Sequence, residues 1–493
     1  MEVLKNNWKV VTPVIIVFAV AALMGSIQVH HDTWYHLLVG RYIYTHHSVP
    51  QTGFLVYNHE ASPMIYHSWL SQLFFYLVFK IGGLFSLEML ASFLSVVNGL
   101  LFVCLGLKRC SAKAFLTMLP FIMFFSIPFL NIRPNILSLI LFTVLFIAAD
   151  KCRRKPAAGL FAVIILTMMV WSQVHGFWVY GLMVLVLFAI DAFVCREKEK
   201  AYFFTGVLLV SLGLITVLFI LIHNRPDFLM DLLHSGVNIR HNKAAEWSSP
   251  FMFLQLYCRQ SNNFPLFLVF KYFFAPFLLA VLMVFSLLYK KRTLLDYLLG
   301  LVFTGMVFYS YRNMMFTVPV IIYVTGPVVD GILKEKRRIR DVLIVTSIII
   351  AVMVTGIFIS EKMSDEPMPA QPLPLENLLA RLPMTENLIV CRLNLSDYLL
   401  FVLNKDDWHE NNYVYSDIRF ELFSSNEVQN FYDVMAQKQA LNEVLKIKDR
   451  NVIFVVDSET PILGELQLNN NYALVAEEDG SFLFLPKELK RPR

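Results

Sequence analysis

The chain has 493 residues, of which 57% are hydrophobic and only 16% are charged. Ordinary soluble domains carry about a quarter charged residues, so this composition excludes a water-soluble protein as a whole. The formal charge of +5 does not gather into a basic face, which excludes nucleic acid as a partner. Six cysteines (104, 110, 152, 195, 258 and 391) form no CxxC and no regular framework, so neither a zinc module nor a disulfide scaffold is expected.

In chain order, apolar runs long enough to cross a bilayer as helices recur through the first 360 residues. They number about eleven, near 10–29, 86–107, 113–131, 135–150, 157–173, 177–195, 202–222, 271–289, 294–311, 314–333 and 341–360. The first follows Lys5 and Lys9 and resembles a signal peptide, but its length and the spans behind it favour an uncleaved helix. Basic residues fix the direction. Lys5, Lys9, Lys108, Arg109, Lys113, Lys151, Arg153, Arg154, Lys155, Arg196, Lys198, Lys200, Lys290, Lys291, Arg292, Lys334, Lys336, Arg337, Arg338 and Arg340 make 20 on one side, against nine in longer loops opposite. The positive-inside rule then puts the N-terminus in the cytoplasm and the C-terminus outside. The stretch from Trp69 to Ile81 is apolar but short and ends at Gly82-Gly83, so it is read as an interfacial helix of the first outer loop, 30–85.

The twelve histidines all fall on the outer side in this topology, seven of them in that loop. Polar loops collect histidine in any protein, but the bias also suits a working outer face. Beyond residue 360 the chain changes character. A proline-rich linker, 361–375, leads into 376–493, and from 361 onward 22 acidic residues outnumber 13 basic ones. Apolar runs at 388–393, 413–417, 451–457, 472–478 and 481–486 alternate with helical patterns near 420–447 and 461–468, predicting a small α/β domain outside the membrane. The expected fold class is therefore an α-helical polytopic membrane protein with a C-terminal soluble α/β domain.

Chemistry is sought first at His30-His31-Asp32-Thr33-Trp34-Tyr35-His36, directly after the first span. On a helix Asp32 and His36 share a face, and a carboxylate beside an imidazole can act as a base, orient a partner or hold a divalent cation. The plainer reading is an acidic helix start and an interfacial histidine.

Asp-x-Trp-x-His, Gly40-Arg41-Tyr42-Ile43, Tyr66-His67-Ser68-Trp69-Leu70, Arg133-Pro134, Trp171-Ser172-Gln173-Val174-His175-Gly176, Glu246-Trp247, Arg312 and Ser416-Asp417-Ile418-Arg419 occur in this order along nearly the whole chain. The set resembles bacterial membrane glycosyltransferases of the GT-C superfamily with a C-terminal periplasmic domain. The resemblance implies transfer of a sugar or oligosaccharide from a polyprenyl-phosphate or polyprenyl-diphosphate donor to a protein, lipid or polysaccharide at the outer face of a bacterial inner membrane. It implies catalytic roles for Asp32 and His36, with a Mg or Mn ion between them if a metal takes part. Relatives often carry acids in a His-Glu-Trp-Leu run, where this chain has His67-Ser68-Trp69-Leu70-Ser71-Gln72. A leaving phosphate needs cations and donors, for which Arg133, Arg240, Arg312 and His175 are expected. His67, Glu246 and Trp247 are expected on the acceptor side. A transporter or flippase of lipid-linked glycans is the main alternative, and a non-catalytic carrier-binding envelope protein the next. Against transport, Asp150, Asp191, Asp296 and Asp330 lie towards cytoplasmic span ends and no charge is evident mid-span.

Overall fold

A computed structural model describes residues 7–26, 31–226, 228, 247–259, 270–289, 292–335, 341–342, 344–350, 352, 382, 386–403, 412–417, 419, 422–435, 444–447, 449–458, 460–478 and 480–490. The chain divides into two compact units. One comprises Met1–Gln28, Val78–Pro226 and Lys243–Glu366; the other comprises Val29–Leu77, Asp227–Asn242 and Pro367–Arg493. The second unit therefore combines the first long loop with the C-terminal segment, a grouping that a cut at residue 360 does not give.

The first unit is helical. Its helices are α1 (Trp8–Ser26), most of α3 (Trp69–Gly106), α4 (Ala112–Ser126), α5 (Pro134–Arg154), α6 (Ala158–Val174), α7 (Val179–Val194), α8 (Lys198–His223), α9 (Pro250–Arg259), α10 (Ala275–Tyr289), α11 (Leu294–Tyr309) and α12 (Met314–Glu335); α2 (His31–His46) belongs to the other unit. Among the described residues seven helical segments are long and apolar enough to cross a membrane, and three shorter ones are also apolar. Every expected span up to residue 333 coincides with a helix. For the last, the described residues between 341 and 352 are helical and the remainder lies outside the described residues.

The glycine pair breaks α3, as its sequence implies. Gly82 and Gly83 leave helical geometry, and Gly83 takes φ +62°, a region open to glycine at little cost. Ser86 donates to the carbonyls of Val78 (2.7 Å) and Gly83 (2.8 Å), satisfying acceptors that the break releases.

Buried carboxylates cluster at one end of the bundle. Asp150 accepts from Tyr323 (2.9 Å) and Arg154 (3.1 Å), Asp191 pairs with Arg153 (3.0 Å), and Asp296 pairs with Arg109 (3.5 Å). Asp330 pairs with Lys334 at 2.7 Å. Each of these four acids is thus held by a basic side chain.

The second unit is built on a five-stranded sheet of order β2-β1-β3-β5-β4, with β1 (Asn387–Cys391), β2 (Asn412–Val414), β3 (Asn451–Asp457), β4 (Tyr472–Glu478) and β5 (Ser481–Pro486). The first three strands in that order run parallel, while β5 is antiparallel to β3 and to β4. Central β3 is buried at its five inner positions, as its unbroken apolar run requires. Helices α13 (Leu393–Leu403), α14 (Ser425–Met435) and α15 (Leu463–Leu468) complete it. All five expected strands are present. Helix α13 was not expected: the strand pattern at 388–393 runs onto its first residue and no element is assigned behind it, whereas Asn394, Ser396 and Asp397 favour a helix start over a pleat.

The first loop extends this sheet. Val414 N–H donates to Leu55 O and Tyr57 N–H to Val414 O, both at 3.0 Å, so Val56 covers the β2 edge. Arg419 is 1% exposed and pairs with fully buried Asp417, while donating to the Tyr66 hydroxyl at 3.1 Å. Burial alone would pull the guanidinium down, but Asp417 and the tyrosines beside it hold it well above its ordinary value.

A second tie is exposed. Glu427 accepts from His59 at 3.0 Å and from Ser424 at 2.7 Å. Burial raises its carboxyl, but the Ser424 and His59 hydrogen bonds outweigh burial and hold it below the usual glutamate range. Its contribution is therefore complete above the ordinary glutamate value and is lost as pH falls through the lower folded one. Glu427→Gln should flatten that acid limb in a denaturant series taken at descending pH; an unchanged limb would assign acid sensitivity elsewhere.

Candidate functional site

Polar side chains converge at one end of the helical unit, amid aromatic rings. Arg133 caps the N-terminus of α5 with extended geometry, and Pro134 at the first helical position supplies the fixed φ that starts the helix. One and a half turns of α5 then carry Asn135 and Ser138, three residues apart on one face, both buried. Asn135 accepts from Arg312 Nη2 at 3.2 Å. Ser138 Oγ lies 2.9 Å from His175 Nδ1 and accepts the indole N–H of Trp171 at 3.0 Å.

The turn carrying Arg312, Tyr311–Asn313, is fixed on both sides. Tyr311 N–H donates to Ser248 O at 3.2 Å, and its ring packs on Tyr272 (4.6 Å) and Phe129 (5.5 Å). Asn313 accepts the Tyr180 hydroxyl proton and donates to Met306 O at 2.6 Å. The guanidinium lies 5.3 Å from the Phe177 ring and 5.2 Å from Trp247, both within cation–π range. His175, which caps α6, meets Phe177 edge-on at 4.4 Å. Arg312 and His175 thus both reach α5, whose first turn follows Arg133, and Trp247 lies beside the Arg312 guanidinium. A planar, always-charged group held by a neutral amide and flanked by rings suits a phosphate oxygen.

Asp32 and His36 lie on α2 in the other unit. Asp32 sits in the first helical turn, where the helix dipole favours a carboxylate, and His36 follows one turn later and is buried. Gly40 lets α2 approach α3 closely: a Cβ there would stand 2.2 Å from Gln72 O. That approach brings Gln72 Nε2 to 3.2 Å from His36 Nδ1. An amide from the acid-poor run at 67–72 therefore contacts the imidazole. His67 lies in the turn before α3, its N–H donating to Ile65 O at 3.1 Å.

The outer face of α2 meets α13. Trp34 packs against Tyr398 at 5.0 Å and Phe401 at 5.3 Å, and Arg41 donates to Phe401 O at 2.7 Å while lying over its ring. Arg240 and Glu246 lie outside the described residues. Asn135, Ser138, Gln72 and Tyr180 are contributors that the sequence reading missed. The usable signal for the first two was a polar pair at i, i+3 opening an otherwise apolar helix.

The chain matches no family model and no curated protein. Its fold is similar to solved structures of the oligosaccharyltransferase of the archaeon Archaeoglobus fulgidus. Against the apo form the TM-score is 0.58 at 12% identity, covering 91% of this chain and 69% of that one. Against the oligosaccharyltransferase AglB of the same organism, in complex with an inhibitory peptide and a dolichol-phosphate, it is 0.51 at 11% identity, covering 99% and 75%. Against the complex of the first enzyme with Zn and sulfate it is 0.54 at 10% identity, covering 97% and 74%. At such identities the likeness establishes the fold alone, a helical bundle with apolar spans and a small C-terminal sheet domain.

Among the described residues no three His, Cys, Asp or Glu side chains gather closely enough to hold an ion. Asp32 and His36 supply two donors at most, and His36 Nδ1 already faces Gln72. This pair alone does not fit a cation cradle.

Proposed function

We propose that this chain is a membrane glycosyltransferase that moves a sugar or oligosaccharide from a polyprenyl-(di)phosphate donor to a protein, lipid or polysaccharide acceptor. The observation that carries the reading is the convergence of Arg312, His175, Asn135, Ser138 and Trp247 in an apolar bundle, a setting built for an anion on a lipid. The neighbour solved with a dolichol-phosphate and a peptide supports a lipid-linked donor and puts peptide first among acceptors to try. The pairing of Asp150, Asp191, Asp296 and Asp330 with basic groups weighs against ion-coupled transport.

In this mechanism Arg312 and Arg133 neutralise charge that grows on the departing phosphate, and His175 adds a hydrogen bond. The carboxylate of Asp32 takes the proton of the attacking acceptor group, with His36 orienting it. His67, Trp247 and, outside the described residues, Glu246 and Arg240 are proposed to contact substrate.

Donor binding tests the phosphate assignment. Arg312→Ala should weaken affinity for a polyprenyl phosphate about ten- to a hundredfold, the worth of one charge-assisted contact of about 1.5–3 kcal/mol. Arg259→Ala should change it little; equal small effects would make both residues headgroup anchors.

The reaction is assigned to the outer face of a bacterial inner membrane, with the N-terminus cytoplasmic and the C-terminal domain periplasmic, on the strength of the basic asymmetry. Cys195 is exposed and lies among the cytoplasmic basic residues, whereas Cys391 is buried in β1 and cannot report. An impermeant thiol reagent should leave Cys195 unmodified in intact cells and label it once the membrane is opened. Labelling in intact cells would reverse the orientation.

A further inference from the structure

A proline inside a helix leaves the carbonyl four residues back without its N–H donor, and the ring pushes that carbonyl out of the ladder. In α12, Pro327 does this to Tyr323 O. The gap is filled from another segment: Arg109, in the turn between α3 and α4, donates through Nε to Tyr323 O at 3.3 Å. The same guanidinium lies 3.8 Å over the Tyr323 ring and brings Nη2 to 3.5 Å from Asp296 of α11. Tyr323 passes the contact on, its hydroxyl donating to Asp150 of α5 at 2.9 Å, and Asp150 also holds Arg154. The turn can reach α12 because Gly326 faces it: a Cβ there would stand 3.2 Å from Cys110 Sγ. The network is buried, with Tyr323 0%, Asp296 3% and Asp150 4% exposed, and Cys152, two residues beyond Asp150, is 0% exposed.

We propose that Arg109 is the latch of a hinge at Pro327: it holds the end of the bundle remote from Arg312 closed, and its release lets the last turns of α12 swing away from α5 and α11. Pro327 lies about 20 Å along α12 from the Arg312 turn, so latch and phosphate cluster occupy opposite ends of one helix. The proposal goes beyond glycosyl transfer and holds whichever substrate enters at the Arg312 end. A buried ion pair returns little net stability against its desolvation, so what these charges contribute is one fixed arrangement of the helices that carry them. Each contact of Arg109 leads to a different element, and losing that one side chain frees α12 from α11 and from the α3–α4 turn together. A helix with an N–H at position 327 would satisfy Tyr323 O itself and would need no latch.

The test uses the full-length protein in lipid nanodiscs. Timed alkylation by N-ethylmaleimide, read peptide by peptide in a mass spectrometer, follows buried Cys152, with exposed Cys195 as the reference for reagent access. Arg109→Ala should speed Cys152 about tenfold or more, and adding Pro327→Ala should return the rate to within about twofold of wild type. Tyr323→Phe, which loses only the tie to Asp150, should speed it about threefold, the check that remains if Arg109→Ala does not assemble. Hydrogen exchange in Arg109→Ala should rise in 323–335 and stay at the wild-type level in 134–138. A wild-type rate at Cys152 in both single variants overturns the latch. A double variant as reactive as Arg109→Ala overturns the hinge. Faster exchange in both segments would make the network a general stabiliser of the bundle and overturn the proposal as well.

Discussion

Replacing Asp32 with asparagine is expected to cut glycosyl transfer by about 10²- to 10⁴-fold, the usual worth of a positioned general base. A hydroxyl or amide acceptor is a weak nucleophile, and the asparagine keeps the shape of the side chain while removing its basic oxygen. Asp32 lies in the first turn of α2, where a carboxylate adds only about 0.3–1 kcal/mol through the helix dipole, so the variant should fold. Lipid-donor affinity, which the proposed mechanism assigns to Arg312 and its neighbours, should stay near wild type. His36→Ala should be milder if, as proposed, the imidazole only orients the base. The measurement is single-turnover transfer beside a binding curve. Wild-type turnover in a well-folded Asp32→Asn protein would remove Asp32 from the chemistry.

The second large effect concerns stability. Asp417→Ala leaves Arg419 charged, fully buried and without its ion partner, which typically costs about 3–5 kcal/mol. Against a total of about 5–15 kcal/mol for a domain, that is enough to loosen the unit. Tyr66 loses an ordered donor at the same time, so damage should reach the first loop as well as the sheet. Replacing both members with apolar residues, Asp417→Leu with Arg419→Met, should recover much of the loss, because no unpaired charge remains. Chemical denaturation monitored in the C-terminal domain reads both variants. Truncation after residue 365 goes further, removing the α13 surface under Trp34 and Arg41. Transfer should then fail with every acceptor while the helical bundle persists. A truncated protein that merely changes acceptor preference would confine the domain to acceptor recognition.

Much of this was legible in the sequence because the bilayer and the sheet both impose simple periods. Twenty-residue apolar runs could be placed to within a few residues, and β3, β4 and β5 began and ended where their apolar runs did. Helix α13 escaped because Leu393 continues an apolar strand without a turn residue between. The partnership between residues 29–77 and the C-terminal segment could not be read, since nothing local in Tyr66 or Trp34 announces a partner more than 300 positions away. Arg312 and His175 were legible as cations or donors in tight turns. Asn135 and Ser138 were not, because a single polar residue in an apolar helix more often bonds its own backbone, as Ser126 does to Ile122. Gln72 stood in a run read only for the acids it lacks.

The central claim is tested most directly with the purified chain in proteoliposomes loaded with a lipid-linked glycan pool and offered peptide, lipid and polysaccharide acceptors. Glycosyl transfer should put glycan on one acceptor class with stoichiometric release of polyprenyl phosphate or diphosphate, and Asp32→Asn should lose both. Glycolipid that crosses the bilayer intact, with no acceptor modified and no free lipid phosphate formed, would contradict it and make the protein a carrier of its substrate.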